Sequence, residues 1–222
     1  MKSSFLLMFL FSLTTTVFAQ SVIQFSDDSD TSSLYQYKNN WAKRFKLGLI
    51  EYDTNDYSFR FWSFGLVIRI TGSKDKPLGE IIRFVEPYPK DKSNKVFTKR
   101  FPISRSKASQ IRQLIDSLQI ELLPSDKNIK GWKQGVDGIE YITEFKIQGK
   151  YSFKRYWTPT AQDTLKEAIQ FQNFVIGLDR ILDLKAISQG FQNYIPFDSW
   201  TYPGSGTFVR RIKVKSSQKN GE

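Results

Sequence analysis

Residues 137–159, DGIEYITEFKIQGKYSFKRYWTP, organise the predicted fold, because they predict a β-hairpin that leads into the longest helix. Apolar and polar residues alternate from Ile139 to Ile147, and the alternation resumes from Tyr151 to Trp157. A period of two is typical of strands with one buried face. Gly149, between the two runs, can adopt the positive φ that a short hairpin loop requires.

The length of the hairpin loop sets which residues face each other. A three-residue loop pairs Phe145 with Phe153. It also pairs Glu144 with Lys154, whereas a two-residue loop pairs Glu144 with Phe153. Because similar residues usually face each other across antiparallel strands, the sequence favours the three-residue loop. One face of the hairpin would then be aromatic and directed to the core, and the other would carry Glu140, Glu144, Lys154 and Tyr156.

This polar face is the first candidate site for binding or catalysis. Glu140 and Glu144 lie four residues apart, which is about 13 Å along one strand. Paired glycosidase carboxylates lie roughly 5 to 9.5 Å apart. The spacing disfavours a catalytic pair, so no catalytic residue is predicted, and it favours a solvated face with cross-strand Glu–Lys pairs.

The N-terminal sequence predicts that the protein is exported. Lys2 precedes a short apolar run from Phe5 to Leu13, and Val17 and Ala19 are the small residues of a cleavage site before Gln20. Residues 1–19 are therefore expected to be a signal peptide, and the mature chain to be periplasmic or secreted. The apolar run is shorter than a normal transmembrane span, and no other such run follows.

The amino-acid composition excludes several catalytic mechanisms. The chain has no histidine and no cysteine, so it has no Ser-His-Asp triad, no thiol nucleophile and no His- or Cys-ligated zinc. No phosphate-binding loop or dinucleotide fingerprint is present either, and we expect no cofactor and no metal. Any catalysis would rest on Asp, Glu, Lys, Tyr or Ser.

The positive charge is concentrated in the first half of the chain. Residues 31–112 carry 17 Lys and Arg against 7 Asp and Glu, within a formal net charge of +11. For an exported protein, this excess suggests an anionic envelope glycan or a protein as partner, and no nucleic acid is expected. The same excess can also serve solubility alone, and this is the interpretation that we favour.

Hydrophobic periodicity predicts the remaining elements. A helix over 34–46 carries Trp41 and Phe45 and would dock on the core or, alternatively, lie on an anionic membrane. Residues 20–33 and 216–222 are expected to be flexible. The other predicted elements are a long strand over Tyr57–Thr71 bent at Gly65, strands over 80–86, 95–103 and 207–215, a helix from Ser104 or Ser106 to Pro124, and a helix from Thr160 to near Lys185.

Residues 186–206 predict a long irregular segment that is rich in aromatic side chains, Trp200 and Tyr202 among them. Long irregular loops in compact domains tend to be functional or disordered, and the aromatic content argues against disorder. A row of aromatic rings can stack on sugars or cover one end of a sheet. The tendency of apolar side chains to enter the core favours the covering role.

Four short motifs suggest a relationship: Phe59-Arg60-Phe61-Trp62, Asp137-Gly138, Glu144 and Tyr156-Trp157-Thr158-Pro159. Together with the signal ending Phe18-Ala19-Gln20, they resemble a group of uncharacterised exported proteins from Bacteroidota-type bacteria. The similarity covers about residues 50–185. It implies export and the fold class, and it carries over no activity.

These patterns predict a single α+β domain over residues 34–215: a mainly antiparallel sheet, built from a meander, the hairpin and a C-terminal strand, with two main helices on one face. The expected function is a non-catalytic envelope or secreted binding module for a glycan or a protein. The alternative is a carboxylate-dependent polysaccharide or cell-wall hydrolase. The candidate binding residues are Glu140, Glu144, Lys154, Tyr156, Trp200 and Tyr202.

Overall fold

The computed structural model describes residues 23–89 and 95–211, which form four α-helices and one large, mostly antiparallel sheet. The predicted single α+β domain is confirmed. The predicted signal peptide and tail lie outside the described residues. The strands are β1 (Gln24–Phe25), β2 (Tyr57–Ser63), β3 (Leu66–Gly72), β4 (Pro77–Pro87), β5 (Phe97–Ile103), β6 (Glu140–Ile147), β7 (Lys150–Trp157), β8 (Ser199–Thr201) and β9 (Phe208–Arg210), and the helices are α1 (Ser33–Arg44), α2 (Arg105–Ser117), α3 (Lys166–Leu182) and α4 (Leu184–Gln192).

The sheet is covered on both faces. Its strands follow the order β1-β7-β6-β2-β3-β4-β8-β9, β5 also pairs with β4, and β1 with β7 is the parallel pair. Helices α2 and α3 pack on one face, which confirms the two predicted main helices. Helix α1 and the chain that follows it cover the other face through Trp41, Phe45 and Ile50. The apolar side of α1 is therefore docked on the core.

The hairpin is confirmed, but the predicted register is wrong. Glu144 pairs with Phe153, and Ile147 pairs with Lys150, so the loop has two residues. Gln148 and Gly149 both have positive φ, of 49° and 83°, as tight two-residue hairpin turns require. The rule that similar residues face each other fails here, because both faces of the hairpin are buried and neither is a solvated polar face.

Several predicted boundaries are also wrong. Residues 57–71 form two strands, β2 and β3, joined by a tight turn at Phe64–Gly65. Helix α2 ends before Gln119, whose positive φ breaks the helix well ahead of Pro124. Helix α3 begins at Lys166, because Thr160 lies in a separate 3-10 turn. Part of the predicted irregular segment 186–206 folds as α4 and β8.

Residues 23–33 have defined partners, in contrast to the flexibility expected of segment 20–33. Strand β1 extends the sheet beside β7, and the backbone nitrogens of Ser26 and Asp30 donate to the carbonyls of Tyr151 and Phe153. The Asp30 side chain is buried and pairs with Lys127 at 3.0 Å. The composition of this segment does not show these contacts with the sheet edge.

A buried ion pair lies under α1. Arg60 Nη1 and Glu144 Oε2 are 3.3 Å apart, and each side chain is at most 2% exposed. Glu144 also accepts hydrogen bonds from Trp62 Nε1 and, at 2.8 Å, from the hydroxyl of Tyr151. Arg60 donates to the carbonyl of Gly48 at 3.0 Å. Burial and the nearby carboxylate raise the pKa of Tyr151 well above its ordinary value, so this hydroxyl keeps its donor proton.

Replacing Glu144 with Gln should lower the free energy of unfolding by about 3 kcal/mol, because Arg60 would keep a buried charge without its counter-charge. Glu167→Gln on α3 is the control with the same change of charge, because Glu167 lies 3.8 Å from Lys166, whose side chain is 90% exposed. That substitution should lower the free energy of unfolding by less than about 1 kcal/mol. Urea denaturation measures both values, and equal losses would contradict a structural role for Glu144.

Candidate functional site

Four of the six predicted site residues are buried inside the protein: Glu144, Lys154, Tyr156 and Trp200. Glu144 is held in the ion pair with Arg60. Tyr156 stacks on Phe171 with ring centroids 3.9 Å apart, and its hydroxyl donates to the carbonyl of Leu123. Trp200 packs in a small apolar cluster with Val85 and other residues. These side chains support the fold, and a ligand at the surface would not reach them.

Lys154 is buried on the face of the sheet that α2 and α3 cover. Its ammonium donates to the carbonyls of Glu121 and Leu123, at 2.5 and 3.0 Å, and lies 2.5 Å from Asp28 Oδ2. The side chain is 1% exposed. Lys154 therefore joins the N-terminal segment to the end of α2, and Glu144, its predicted cross-strand partner, lies on the opposite face.

Tyr202 is half-buried at one end of the sheet. Its ring lies 5.4 Å from the guanidinium of Arg83, which Phe191 covers from another side. The aromatic segment thus mainly covers the sheet end, as the sequence favours. The residues after Tyr202, Pro203 and Gly204, line a pocket that contains Glu140.

The Glu140 pocket is built from α1, the hairpin and three loops, and its cavity has a volume of about 210 Å³. Glu140 Oε1 lies 3.2 Å from Lys38 Nζ, and Glu140 Oε2 lies 3.1 Å from Arg155 Nε. The carboxylate is thus held between two cations from different elements. The remaining residues that line it are Ser63, Phe64, Gly135, Val136, Gly138, Trp157, Pro203 and Gly204.

Lys38 is the most enclosed charge of the pocket. Its side chain is 12% exposed, and Nζ lies 4.7 Å from the ring centroid of Trp41. Burial lowers the pKa of Lys38, although the adjacent Glu140 carboxylate opposes this shift. The ammonium therefore depends on Glu140 as its counter-charge.

The loop before β6 forms one wall of the pocket. Trp157 lies opposite Glu140 in the hairpin register, and the loop passes so close that a Cβ at Gly135 or Gly138 would overlap the Trp157 ring. Glycine at both positions lets the backbone lie flat against the indole. Val136, between them, is fully exposed at the rim.

The pocket offers hydrogen-bonding groups beside apolar surface. Arg155 Nη1 donates to Gln134 at 2.9 Å and lies 3.8 Å from Asp126. The Asp126 side chain is 0% exposed and accepts a hydrogen bond from the backbone nitrogen of Trp157. Asp126 therefore positions Arg155 from the buried side of the pocket. Glu140, Lys38 and the indole edge face the cavity. Such a mixture of aromatic wall and few polar groups is typical of small-ligand sites.

Comparison with known proteins found no matching family model, curated protein or solved structure. The resemblance to exported Bacteroidota-type proteins stays a prediction. Within residues 23–89 and 95–211, no helix is long and apolar enough to span a bilayer. The same ranges contain no group of three or more ligating side chains that could hold a metal ion.

Sequence reasoning identified Glu140 but missed Lys38, Arg155 and Trp157. Lys38 lies on the polar side of α1, and helical periodicity alone does not place it beside the hairpin. Arg155 and Trp157 were placed on the aromatic face by the three-residue register, away from Glu140. The two-residue register, which the sequence also allowed, would have set Trp157 directly opposite Glu140.

The contact between Asp28 and Lys154 should make stability depend on acid pH. Burial by itself would raise the pKa of Asp28, but hydrogen bonds from Lys154 and Ser26 outweigh it and hold the pKa below its ordinary value. A lowered carboxyl pKa contributes stability above the unfolded value, near 3.9, that is lost as pH falls toward the folded value. Asp28→Asn should therefore be less stable than the unchanged protein at pH 7. On transfer to pH 3, the variant should lose less of its free energy of unfolding than the unchanged protein does.

The matched control is Asp27→Asn, because Asp27 is the exposed neighbour of Asp28. Urea midpoints at pH 7 and pH 3 measure the effect in all three proteins. If Asp28→Asn and Asp27→Asn lose equal stability between the two pH values, the contribution of the Asp28–Lys154 contact is contradicted.

Proposed function

We propose that this chain is an exported, non-catalytic binding module that holds a glycan by one sugar residue in the Glu140 pocket. The observation that carries the proposal is the placement of the Glu140 carboxylate between Lys38 and Arg155 beside the indole of Trp157. A carboxylate accepts hydrogen bonds from sugar hydroxyls, and the two cations donate to hydroxyl and ring oxygens. The edge of the Trp157 indole adds apolar contact at the pocket wall.

The size of the pocket supports a single sugar residue as the occupant. Its volume of about 210 Å³ is below the roughly 300–1,000 Å³ that is usual for drug-sized ligands. A longer glycan would therefore insert one residue and continue over the rim. Val136, fully exposed at that rim, offers apolar contact to the adjoining part of the ligand.

The alternative, a hydrolase with two carboxylates, is less well supported by the same geometry. Glu144 is 2% exposed and is bound by Arg60, Trp62 and Tyr151, so it cannot serve as the partner of Glu140. Asp126, the carboxylate that shares Arg155 with Glu140, has a fully buried side chain. In the described part of the chain, Glu140 is thus the single carboxylate that lines the pocket.

Glu140→Gln should weaken glycan binding about tenfold or more, because charge-assisted hydrogen bonds to the carboxylate would be lost. The first measurement is a thermal-shift screen with neutral oligosaccharides and peptidoglycan fragments, followed by calorimetry on any ligand that raises the melting temperature. Glu167→Gln on α3 is the control with the same change of charge. Binding of a neutral sugar should change little between low and moderate salt.

Three results would count against this proposal. If Glu140→Gln binds the glycan with the affinity of the unchanged protein, the glycan does not bind in the Glu140 pocket. Release of shortened sugars from any glycan of the panel would favour the hydrolase. The absence of a shift across the whole panel would favour a protein partner.

A further inference from the structure

A second concave surface follows the outer edge of β5, and its lining is basic. It runs between the end of α1 and strand β5, with a cavity volume of about 730 Å³. We call it the basic groove and define it by the residues that line it: Arg44, Phe45, Lys46, Val96, Phe97, Thr98, Lys99 and Arg100. Four of these eight residues are cationic, and none is acidic. Arg100 also lines an adjoining cavity of about 400 Å³ over β3 and β4.

The four cations of the basic groove differ in their partners. Arg44 pairs with Glu86, and Arg100 lies 2.7 Å from Glu80 while it donates to the carbonyl of Lys46. Among residues 23–89 and 95–211, no carboxylate forms an ion pair with Lys46 or Lys99. The two arginines are thus fixed in place, and no carboxylate of the described residues compensates the charge of the two lysines.

The backbone keeps these cations at the groove. Lys46 has a φ of 54°, so the chain turns sharply after α1 and carries this exposed side chain out of the helical direction. Lys99 pairs with Arg83 in the strand register and extends on the face of β5 opposite Arg100, where its Nζ lies 3.4 Å from the ring centroid of Tyr194, a contact that leaves its charge in place. Strand β5 pairs with β4 alone among the described strands, so the groove follows an unpaired sheet edge.

We infer that the basic groove binds an anionic polysaccharide, whose carboxylate or sulfate groups would meet Lys46 and Lys99 and whose chain would extend past Arg100. A long concave surface accommodates a chain, and clustered positive charge attracts polyanions. This site is separate from the Glu140 pocket and goes beyond the proposed function, because it recognises charge along a chain instead of one sugar residue.

Other anionic partners fit the basic groove less well. A bilayer would require an apolar face beside the cations, but Trp41 and Phe45 of the α1 region are buried against the sheet. Single-stranded nucleic acid would require exposed aromatic rings on which successive bases stack. Of the two aromatic residues that line the groove, Phe45 is buried and Phe97 stacks on Phe191.

The test compares the double variant Lys46→Gln/Lys99→Gln with the unchanged protein, both prepared as residues 20–222, which contain every described residue. The probes are an oligogalacturonate for carboxylates and a heparin oligosaccharide for sulfates, with affinities measured by calorimetry at several salt concentrations. The double variant should bind at least one probe about threefold to tenfold more weakly, because two exposed ion pairs are lost. The dependence of its affinity on salt should also be shallower.

The matched control is Lys107→Gln/Lys166→Gln, which removes two exposed charges from α2 and α3, outside the residues that line the groove. This control should bind both probes with the affinity of the unchanged protein. If it loses as much affinity as the groove variant, net charge alone explains the effect, and the inference is overturned. The lysine double variant and Glu140→Gln are each measured with the two anionic probes and with the neutral ligand of the pocket, so failure of the pocket and failure of the groove can be told apart. No binding of either probe, or tighter binding of phosphatidylglycerol vesicles or of an oligothymidine strand, would also overturn the inference.

Discussion

The buried ion pair between Arg60 and Glu144 is the constraint on which the rest of the sheet depends. Removing both charges from water is costly unless each finds further partners, and here Trp62, Tyr151 and the carbonyl of Gly48 supply them. These partners come from β2, from β7 and from the chain after α1. One polar contact therefore ties together elements that are far apart in the sequence, and it does so beneath α1.

This pair also explains the hairpin register. In the two-residue register, Tyr151 shares a face with Glu144, and its hydroxyl can reach the carboxylate. In the three-residue register, Tyr151 would face the opposite side with Ile147, and Glu144 would lose this donor. A shift of one residue exchanges the two faces of a strand, so a buried charge that must be satisfied specifies the register more strongly than similarity across strands.

Helix α1 connects the core to both proposed sites. Its buried side packs on the sheet through Trp41, while Lys38 reaches the Glu140 pocket and Arg44 reaches the basic groove. Lys38 and Arg44 are six residues apart, or about 9 Å along a helix. A rigid helix that the core holds in place thus presents two kinds of chemistry side by side: an enclosed carboxylate between cations, and an open row of positive charge.

Period-two and helical patterns are local properties of the chain, and by themselves they predicted the hairpin, β4, β5, α1 and the approximate position of the two main helices. The absence of histidine and cysteine likewise excluded whole classes of mechanism. Alternation shows which residues share a face, but it cannot show that both faces are covered. For this reason the register, the burial of Lys154 and the contacts of residues 23–33 with β7 and Lys127 were decided only by the tertiary structure. The Glu140 pocket was likewise decided by the tertiary structure. Lys38 and Arg155 are distant from Glu140 in the sequence, and their contacts with it depend on how the elements pack together.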